Sequence, residues 1–163
     1  MSQWPEFIAT EKQQDYLKST LETGIDFNNK LVYTEDFNPY VYRNFYNGGG
    51  VALGDVNNDG LDDFFIGGAA GQPGELYLQT VNGGFIKQKP NICESNKQYE
   101  DMGVVFFDSD TDGDQDLYIV SGSSEFSESS AMFRDRLYFN NGKGDYIKNS
   151  KALPKITSSG QTV

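Results

Sequence analysis

The chain has 163 residues, a formal net charge of −11 at pH 7, a sequence pI of about 4.3 and no histidine. This acidic balance argues against binding to nucleic acid or to an anionic membrane surface. Without histidine, a Ser-His-Asp triad and a histidine-ligated catalytic metal are excluded within this sequence. No apolar run approaches the roughly 18 residues that cross a membrane, and the single cysteine, Cys93, excludes an intrachain disulfide.

The composition favours β-structure. The chain contains 18 glycines, 10 tyrosines and 12 phenylalanines, and only 23% of its residues are charged. This composition suits short strands that are joined by tight turns. We therefore predict an all-β fold, either as one domain or as a piece of a larger one.

The first part of the chain has no repeated pattern. Residues 4 to about 22 mix apolar residues with Gln, Lys and Glu, which predicts one short helix ending before Gly24. From Ile25 to Tyr46, aromatic and polar positions alternate around Asn38-Pro39, which predicts one or two strands with loops. We assign residues 1–46 to an N-terminal segment that holds this helix and these strands. Its start lacks the charged and apolar regions of a signal peptide.

Two acidic stretches, residues 55–63 and 108–116, share the pattern D-x-[DN]-x-D-G-x-x-D. They hold nine of the chain's 24 acidic residues in 18 positions and contain no lysine or arginine. Two carboxylates about 4 Å apart repel each other by roughly 4 kcal/mol at an effective dielectric constant near 20. A bound cation is therefore expected in each stretch.

The spacing within these stretches suits calcium. Side chains at positions 1, 3 and 5 can turn inward, and Gly60 and Gly113 at position 6 can adopt positive φ. Position 7 offers its carbonyl oxygen and a carboxylate at position 9 closes the shell, so the ligand set is all oxygen. The competing interpretation is an acidic solvated turn, because Asp, Asn and Gly are common in turns. The repeated, identical spacing argues against that interpretation.

The flanking residues distinguish these stretches from EF-hands. The bidentate glutamate of an EF-hand would fall on Ile66 and Ile119, and the flanking segments would be helices. Here the flanks are short β-branched and aromatic runs, namely Val51–Leu53, Phe64–Ile66, Val104–Phe107 and Leu117–Val120. Such runs are typical of strands, so each acidic stretch is predicted to lie at the tip of a β-hairpin.

The two acidic stretches belong to an internal repeat. They are related by an offset of 53 residues. The Leu-Tyr runs at 75–78 and 136–139, and the later runs at 85–87 and 146–148, are related by an offset of 61. Each repeat thus contains four strand-like runs, which is typical of a β-propeller blade.

The repeat defines the predicted domains. We predict a first blade in residues 47–90, a second blade in 91–150 with an insertion at 121–133, and the truncated start of a third repeat in 151–163. Two blades do not close a propeller, which needs about four to eight. We therefore expect an incomplete propeller, either as a fragment of a longer protein or in a chain that self-associates through its open blade faces or edges.

At these residues the chain resembles the FG-GAP/VCBS repeat family, which is best known from the β-propellers of integrin α-subunits. Residues 53–68 carry the closer match and 106–122 a looser one, while 44–50 and 67–74 look like exported bacterial VCBS-repeat proteins related to cartilage acidic protein. The resemblance implies two sets of calcium ligands, with the carbonyl oxygen at position 7: Asp55, Asn57, Asp59, Leu61 and Asp63, and Asp108, Asp110, Asp112, Asp114 and Asp116. Asp114 departs from the usual hydrophobic residue at position 7.

The resemblance and the acidic stretches together predict a calcium-binding β-propeller segment with two structural Ca²⁺ ions and no catalytic residue. We expect an extracellular or cell-surface location, where modules with dissociation constants of roughly 10⁻⁴ to 10⁻³ M fill readily. The expected function is adhesion or the binding of a protein or glycan, through the loop Ala69–Gly74 or the insertion Ser121–Phe133. The alternatives are the propeller-scaffold part of a carbohydrate-active enzyme and an assembly scaffold.

Overall fold

The computed structural model describes residues 23–36, 38–42, 45–46, 48–88, 97–122, 126–127 and 130–160. Within these ranges the chain forms two four-stranded antiparallel sheets and one short 3-10 helix, Ala131–Phe133. The described residues contain no α-helix. The predicted all-β fold, with two units of four antiparallel strands, is therefore confirmed.

The strands follow one another in chain order within each sheet. The first sheet, here called blade 1, contains β1 (Val51–Gly54), β2 (Asp63–Ile66), β3 (Glu75–Gln79) and β4 (Phe85–Lys87). The second sheet, blade 2, contains β5 (Glu100–Phe107), β6 (Asp116–Gly122), β7 (Arg136–Asn140) and β8 (Tyr146–Lys148). Both acidic stretches connect the first two strands of a blade, as predicted.

The hydrophobic core lies between the two blades. Because side chains alternate along a strand, each sheet presents every second residue to its neighbour. Blade 1 contributes Ala52, Phe65 and Leu76, and blade 2 contributes Val104, Leu117, Ile119 and Tyr138. A fully buried valine, leucine, isoleucine or phenylalanine side chain contributes roughly 1.5–3 kcal/mol to stability. The two blades therefore stabilise each other.

The segment before blade 1 differs from its prediction. The predicted helix at 4–22 lies outside the described residues. Between Ile25 and Tyr46 the described residues contain no strand, although one or two were predicted. The side chain of Asn38 explains part of the difference, because it accepts from Tyr40 N at 2.9 Å and donates to Glu35 O at 2.9 Å. These bonds form a local turn in place of a strand ladder.

The remainder of this segment packs on blade 1. Phe85 N donates to Thr23 O at 2.7 Å, which places the segment beside the outer strand β4. The hydroxyl oxygen of Tyr77 lies 2.8 Å from Asp26 Oδ1 and 2.6 Å from Glu75 Oε2, and its single proton is donated to one of these two carboxylates at a time. The segment therefore covers part of the edge and of the outer face of blade 1.

A buried ion cluster joins the two blades at the end away from the acidic stretches. The Asp101 carboxylate is fully buried and lies 2.6 Å from both the Lys97 ammonium and the Arg136 guanidinium. Asp101 Oδ2 also accepts from Gly68 N of blade 1 at 2.9 Å. The Arg136 guanidinium stacks over the Tyr99 ring at 4.3 Å from its centroid. The charges of this cluster are thus satisfied by one another and by the blade 1 backbone.

This cluster predicts a large effect of one substitution. Asp101→Ala removes the carboxylate that two buried cations share, and breaking a buried pair in this way costs roughly 3–5 kcal/mol. Lys87→Ala, in the more exposed pair with Glu75, should cost about 1 kcal/mol or less. Urea unfolding of both variants measures these changes in the free energy of unfolding. Equal losses in the two variants would contradict the role assigned to Asp101.

Candidate metal centre

The two acidic stretches adopt the same backbone conformation at the hairpin tips. They are called loop 1 (residues 55–63) and loop 2 (residues 108–116), and their ninth residue begins β2 or β6. Gly60 and Gly113 at position 6 have φ of 85° and 94°, as predicted. Asn58 and Thr111 at position 4 also have positive φ, 60° and 67°. This conformation is rare for a β-branched residue such as threonine, and the sequence pattern did not predict it.

Carboxylates at positions 1 and 5 hold the backbone of each loop. In loop 1, Asp55 accepts from Gly60 N at 2.8 Å and Asp59 accepts from Leu61 N at 2.9 Å. In loop 2, Asp108 accepts from Gly113 N at 3.1 Å and Asp112 accepts from Asp114 N at 3.0 Å. Each loop therefore curls around its own carboxylates through the same two hydrogen bonds.

Loop 2 brings three predicted ligands together. Carboxylate oxygens of Asp108, Asp110 and Asp112 all lie within 4.8 Å of one another, and all three side chains are exposed. Desolvation in the loop and repulsion from Asp112 and Asp116 raise the pKa of Asp110. Three hard oxygen donors at this separation could hold a metal ion of the calcium or magnesium type.

Loop 1 presents a less acidic arrangement, because Asn57 replaces the carboxylate at position 3. Asn57 Nδ2 donates to Asp59 Oδ2 at 3.1 Å, and Asn57 Oδ1 accepts from Asp59 N at 3.1 Å. Two carboxylates, Asp55 and Asp59, therefore remain at positions 1 and 5. Loop 1 carries less negative charge for a cation than loop 2.

The carboxylates at position 9 are buried and have structural partners. Asp63 Oδ2 accepts from Val56 N at 3.1 Å, and Asp63 Oδ1 accepts from Gln79 N at 2.8 Å. Asp63 therefore ties the start of loop 1 to the end of the third strand. Burial raises the pKa of Asp63, and hydrogen bonds from the Gln79 and Val56 backbone oppose this shift.

Asp116 makes the same two connections in blade 2. It accepts from Ser109 N at 3.1 Å and, through its other oxygen, from Asn140 N at 2.9 Å. Sequence analysis predicted these carboxylates only as ligands. Their link to the third strand was missed because the partner backbone groups lie 16 and 24 residues away.

Two further side chains join the loops to each other. Asn58 of loop 1 donates to Asp114 Oδ1 of loop 2 at 3.0 Å, so the carboxylate that departs from the family pattern connects the two blades. Asn140 Nδ2 donates to Val56 O at 2.7 Å and to Gln115 O at 3.1 Å. No local sequence signal marks Asn140, because its partners come from both loops. The off-pattern Asp62 is exposed.

The role of position 9 is testable without a cation. Asp63→Asn leaves one of two buried backbone donors facing an amide group instead of an acceptor, which costs about 1–3 kcal/mol. Asp116→Asn should cost a similar amount, whereas the exposed Asp62→Asn should cost less than about 0.5 kcal/mol. Urea unfolding in excess chelator measures these losses. If Asp63→Asn and Asp62→Asn have the same stability there, Asp63 has no structural role.

A family model described as an FG-GAP-like repeat matches residues 55–119. No curated protein matches the chain. The matched region begins at the first residue of loop 1 and ends within β6, so it contains both loops and the strands β2 to β5. The motif and the hairpin geometry agree with this match. Residues 55–119 are therefore similar to an FG-GAP-like repeat, in agreement with the resemblance found in the loops.

Proposed function

We propose that this chain is a calcium-binding β-propeller segment in which the ions stabilise the hairpin tips. The observation that carries the proposal is the group of three carboxylates in loop 2, Asp108, Asp110 and Asp112, within an FG-GAP-like repeat. Loop 1 offers the equivalent positions with one amide in place of a carboxylate. We place one Ca²⁺ in each loop.

Calcium fits these loops better than magnesium. Ca²⁺ accepts six to eight oxygen ligands in flexible geometry, whereas Mg²⁺ demands a near-ideal octahedron and usually keeps several waters. A loop that supplies side chains from positions 1, 3 and 5 and a carbonyl from position 7 matches the first preference. The ion would offset the repulsion among the carboxylates. Without an ion, hydrogen bonds from the loop backbone hold these carboxylates together.

The ions are proposed to be structural because the loops lie at the tips of the strands that build the core. β1, β2, β5 and β6 all begin or end at a loop and all contribute side chains to the contact between the blades. Fixing a tip therefore fixes strands that pack in the core. We propose an extracellular or cell-surface location, where calcium is available to sites of modest affinity.

The end of the blades away from the calcium loops is the proposed binding end. It contains the loop between β2 and β3, with the residues Ala69–Gly74, and the longer connection between β6 and β7. Surface loops held by a rigid scaffold are common binding sites, so we propose adhesion or the binding of a protein or glycan here. Among the described residues, no helix is long and apolar enough to span a membrane.

The ligand assignment predicts calcium-dependent stability. For a dissociation constant on the order of 10⁻⁴ M, about 5 mM calcium should stabilise the fold by about 2 kcal/mol per site, or about 4–8 °C in Tm. Asp59→Ala and Asp112→Ala should each lose roughly one site's share of this increase, because each removes a ligand. Thermal unfolding in calcium and in chelator, at matched ionic strength, measures the difference.

The matched control for this experiment is Asp62→Ala, which removes an exposed carboxylate from loop 1 outside the ligand pattern. It should keep the full calcium-dependent increase in Tm, and magnesium should produce little increase in any variant. An identical calcium-dependent increase in Asp59→Ala, Asp112→Ala and Asp62→Ala would refute the ligand assignment.

The packing between the blades supports assembly as a second role. The face of blade 2 that contacts blade 1 presents Val104, Phe106, Leu117, Ile119, Tyr138 and Tyr146. At the repeat offsets of 53 and 61 residues, the equivalent positions of blade 1 are Val51, Leu53, Phe64, Ile66, Tyr77 and Phe85. Val51 and Leu53 are 54% and 71% exposed, whereas Val104 is 9% exposed. Among the described residues no second sheet lies against this face of blade 1, although the segment before blade 1 covers Tyr77.

The face of blade 1 that packs against blade 2, here called the receiving face, is also repeated in blade 2. In blade 1 it is formed by Ala52, Phe65, Leu76 and Leu78, and the equivalent positions of blade 2 are Val105, Tyr118, Leu137 and Phe139. One copy can therefore seat its blade 1 on blade 2 of another copy, which is a heterologous contact. We propose that such head-to-tail contacts join second copies of this chain. Two-bladed copies would close a ring of about four to eight blades with two to four chains.

This assembly predicts a change in oligomeric state. Light scattering coupled to size-exclusion chromatography should give a mass two to four times the 18.2 kDa of the chain. Leu53→Lys should give monomers, because it places a charge on the exposed contact face. The control Val81→Lys changes a 90% exposed residue in the turn between β3 and β4 and should not alter the mass. A folded, monomeric unsubstituted protein at high micromolar concentration would exclude this role.

A further inference from the structure

Positive charge is concentrated at the end of the sequence, although the whole chain is acidic. Six of the 13 lysines and arginines lie in residues 134–155, where only two acidic residues occur. The six are Arg134, Arg136, Lys143, Lys148, Lys151 and Lys155. The two calcium loops contain none of the 13. Charge is therefore segregated between different parts of the fold.

Three of these cations line one cavity. The cavity has a volume of about 360 Å³ and lies at the end of blade 2 away from the calcium loops. Its walls come from the 3-10 helix, the start of β7 and the end of β8, and include Met132, Arg134, Asp135, Arg136, Lys148 and Ser150. A cavity of this size falls within the range of small-ligand sites.

One of the arginines is held in a fixed position. The Arg136 side chain is 3% exposed, and its guanidinium donates to Asp101 at 2.6 Å and to Ser121 Oγ at 3.2 Å. The Tyr99 ring lies under it. These contacts fix the guanidinium before a ligand arrives, so little conformational entropy is lost on binding.

The other arginine is available to a ligand. Arg134 is exposed, and within the described part of the chain its guanidinium forms no ion pair. A free guanidinium at the wall of a cavity presents a planar set of donors that matches a carboxylate or sulfate group. Lys148 adds a further positive charge to the same cavity.

Asp135, the acidic residue in this wall, has other partners. Its two oxygens accept from the Tyr118 hydroxyl at 2.6 Å and from Ser121 N at 3.0 Å. Burial and the hydrogen bond to Asp135 raise the pKa of Tyr118 to about 12, so the hydroxyl remains a donor at physiological pH. These bonds direct the Asp135 carboxylate toward β6, and positive side chains outnumber negative ones among the described residues that line the cavity.

We propose that this cavity binds the oxyanion of an acidic sugar, a carboxylate or a sulfate group, between Arg134 and Lys148 with Arg136 behind them. The volume accommodates about one sugar ring. Ser150 supplies a polar partner, and Met132 supplies an apolar surface for the ring. The inference names a ligand class for the binding role proposed above, but the site shares no residue with the calcium loops.

The experiment is a titration of the protein in calcium at constant ionic strength, with amide NMR shifts as the readout. Glucuronate and inorganic sulfate should both give saturable shifts, and the uncharged sugar glucose should give none. The double variant Arg134→Gln with Lys148→Gln should weaken glucuronate binding at least about tenfold, because it removes two charge-assisted contacts. The matched control, Lys143→Gln with Lys155→Gln, loses the same charge outside the cavity and should bind normally.

Three outcomes would overturn the proposal. They are the absence of saturable shifts with any anion, binding of sulfate without glucuronate, and equal weakening in the two double variants. The last outcome would show a general charge effect in place of a site. The calcium experiment is read out separately, so its failure would leave this result interpretable and would reject only the calcium assignment.

Discussion

Each hairpin tip depends on carboxylates that accept hydrogen bonds from the backbone. The position 9 carboxylates extend this constraint into the fold, because Asp63 and Asp116 each join their own loop to the third strand of the blade. The arrangement carries a cost, since burial raises the pKa of Asp63. Compared with a solvated aspartate, the ionised form of Asp63 therefore lowers the stability of the fold. This penalty is absent at low pH, where the carboxyl group is protonated, and it develops as pH rises through the raised pKa of Asp63. At neutral pH a cation in the loop would offset the charge.

Local spacing determined most of what the sequence could predict. The runs at 85–87 and 146–148 coincide with β4 and β8, and the glycines at position 6 adopt positive φ as expected. These features depend on residues within a few positions of one another, which a repeated pattern records. The strands predicted before Tyr46 were wrong for the described residues because a single side chain, Asn38, makes a turn that hydrophobic alternation does not reveal.

The contacts between the blades could not be predicted in this way. Asp101 and Arg136 are 35 residues apart, and neither lies in a recognised motif. Asn140 contacts both loops, yet the equivalent residue of blade 1 is Gln79, so the repeat does not mark it. Such contacts depend on how two sheets face each other. The pattern predicted two similar blades, whereas the structure shows which side chains make the pair asymmetric.

The two ends of the blades have different chemistry, and this difference decides how function should be tested. The strands connect the acidic loops at one end with the proposed binding loops and the basic cavity at the other, so if the acidic loops hold calcium, its loss would loosen both ends together. Loss of binding after chelation therefore cannot identify the loops as the binding site. Substitutions at Arg134 and Lys148 leave the loops intact, and substitutions at Asp59 and Asp112 leave the cavity intact. Ligand binding by these two groups of variants, measured in calcium, therefore distinguishes an ion that stabilises the scaffold from one that takes part in binding.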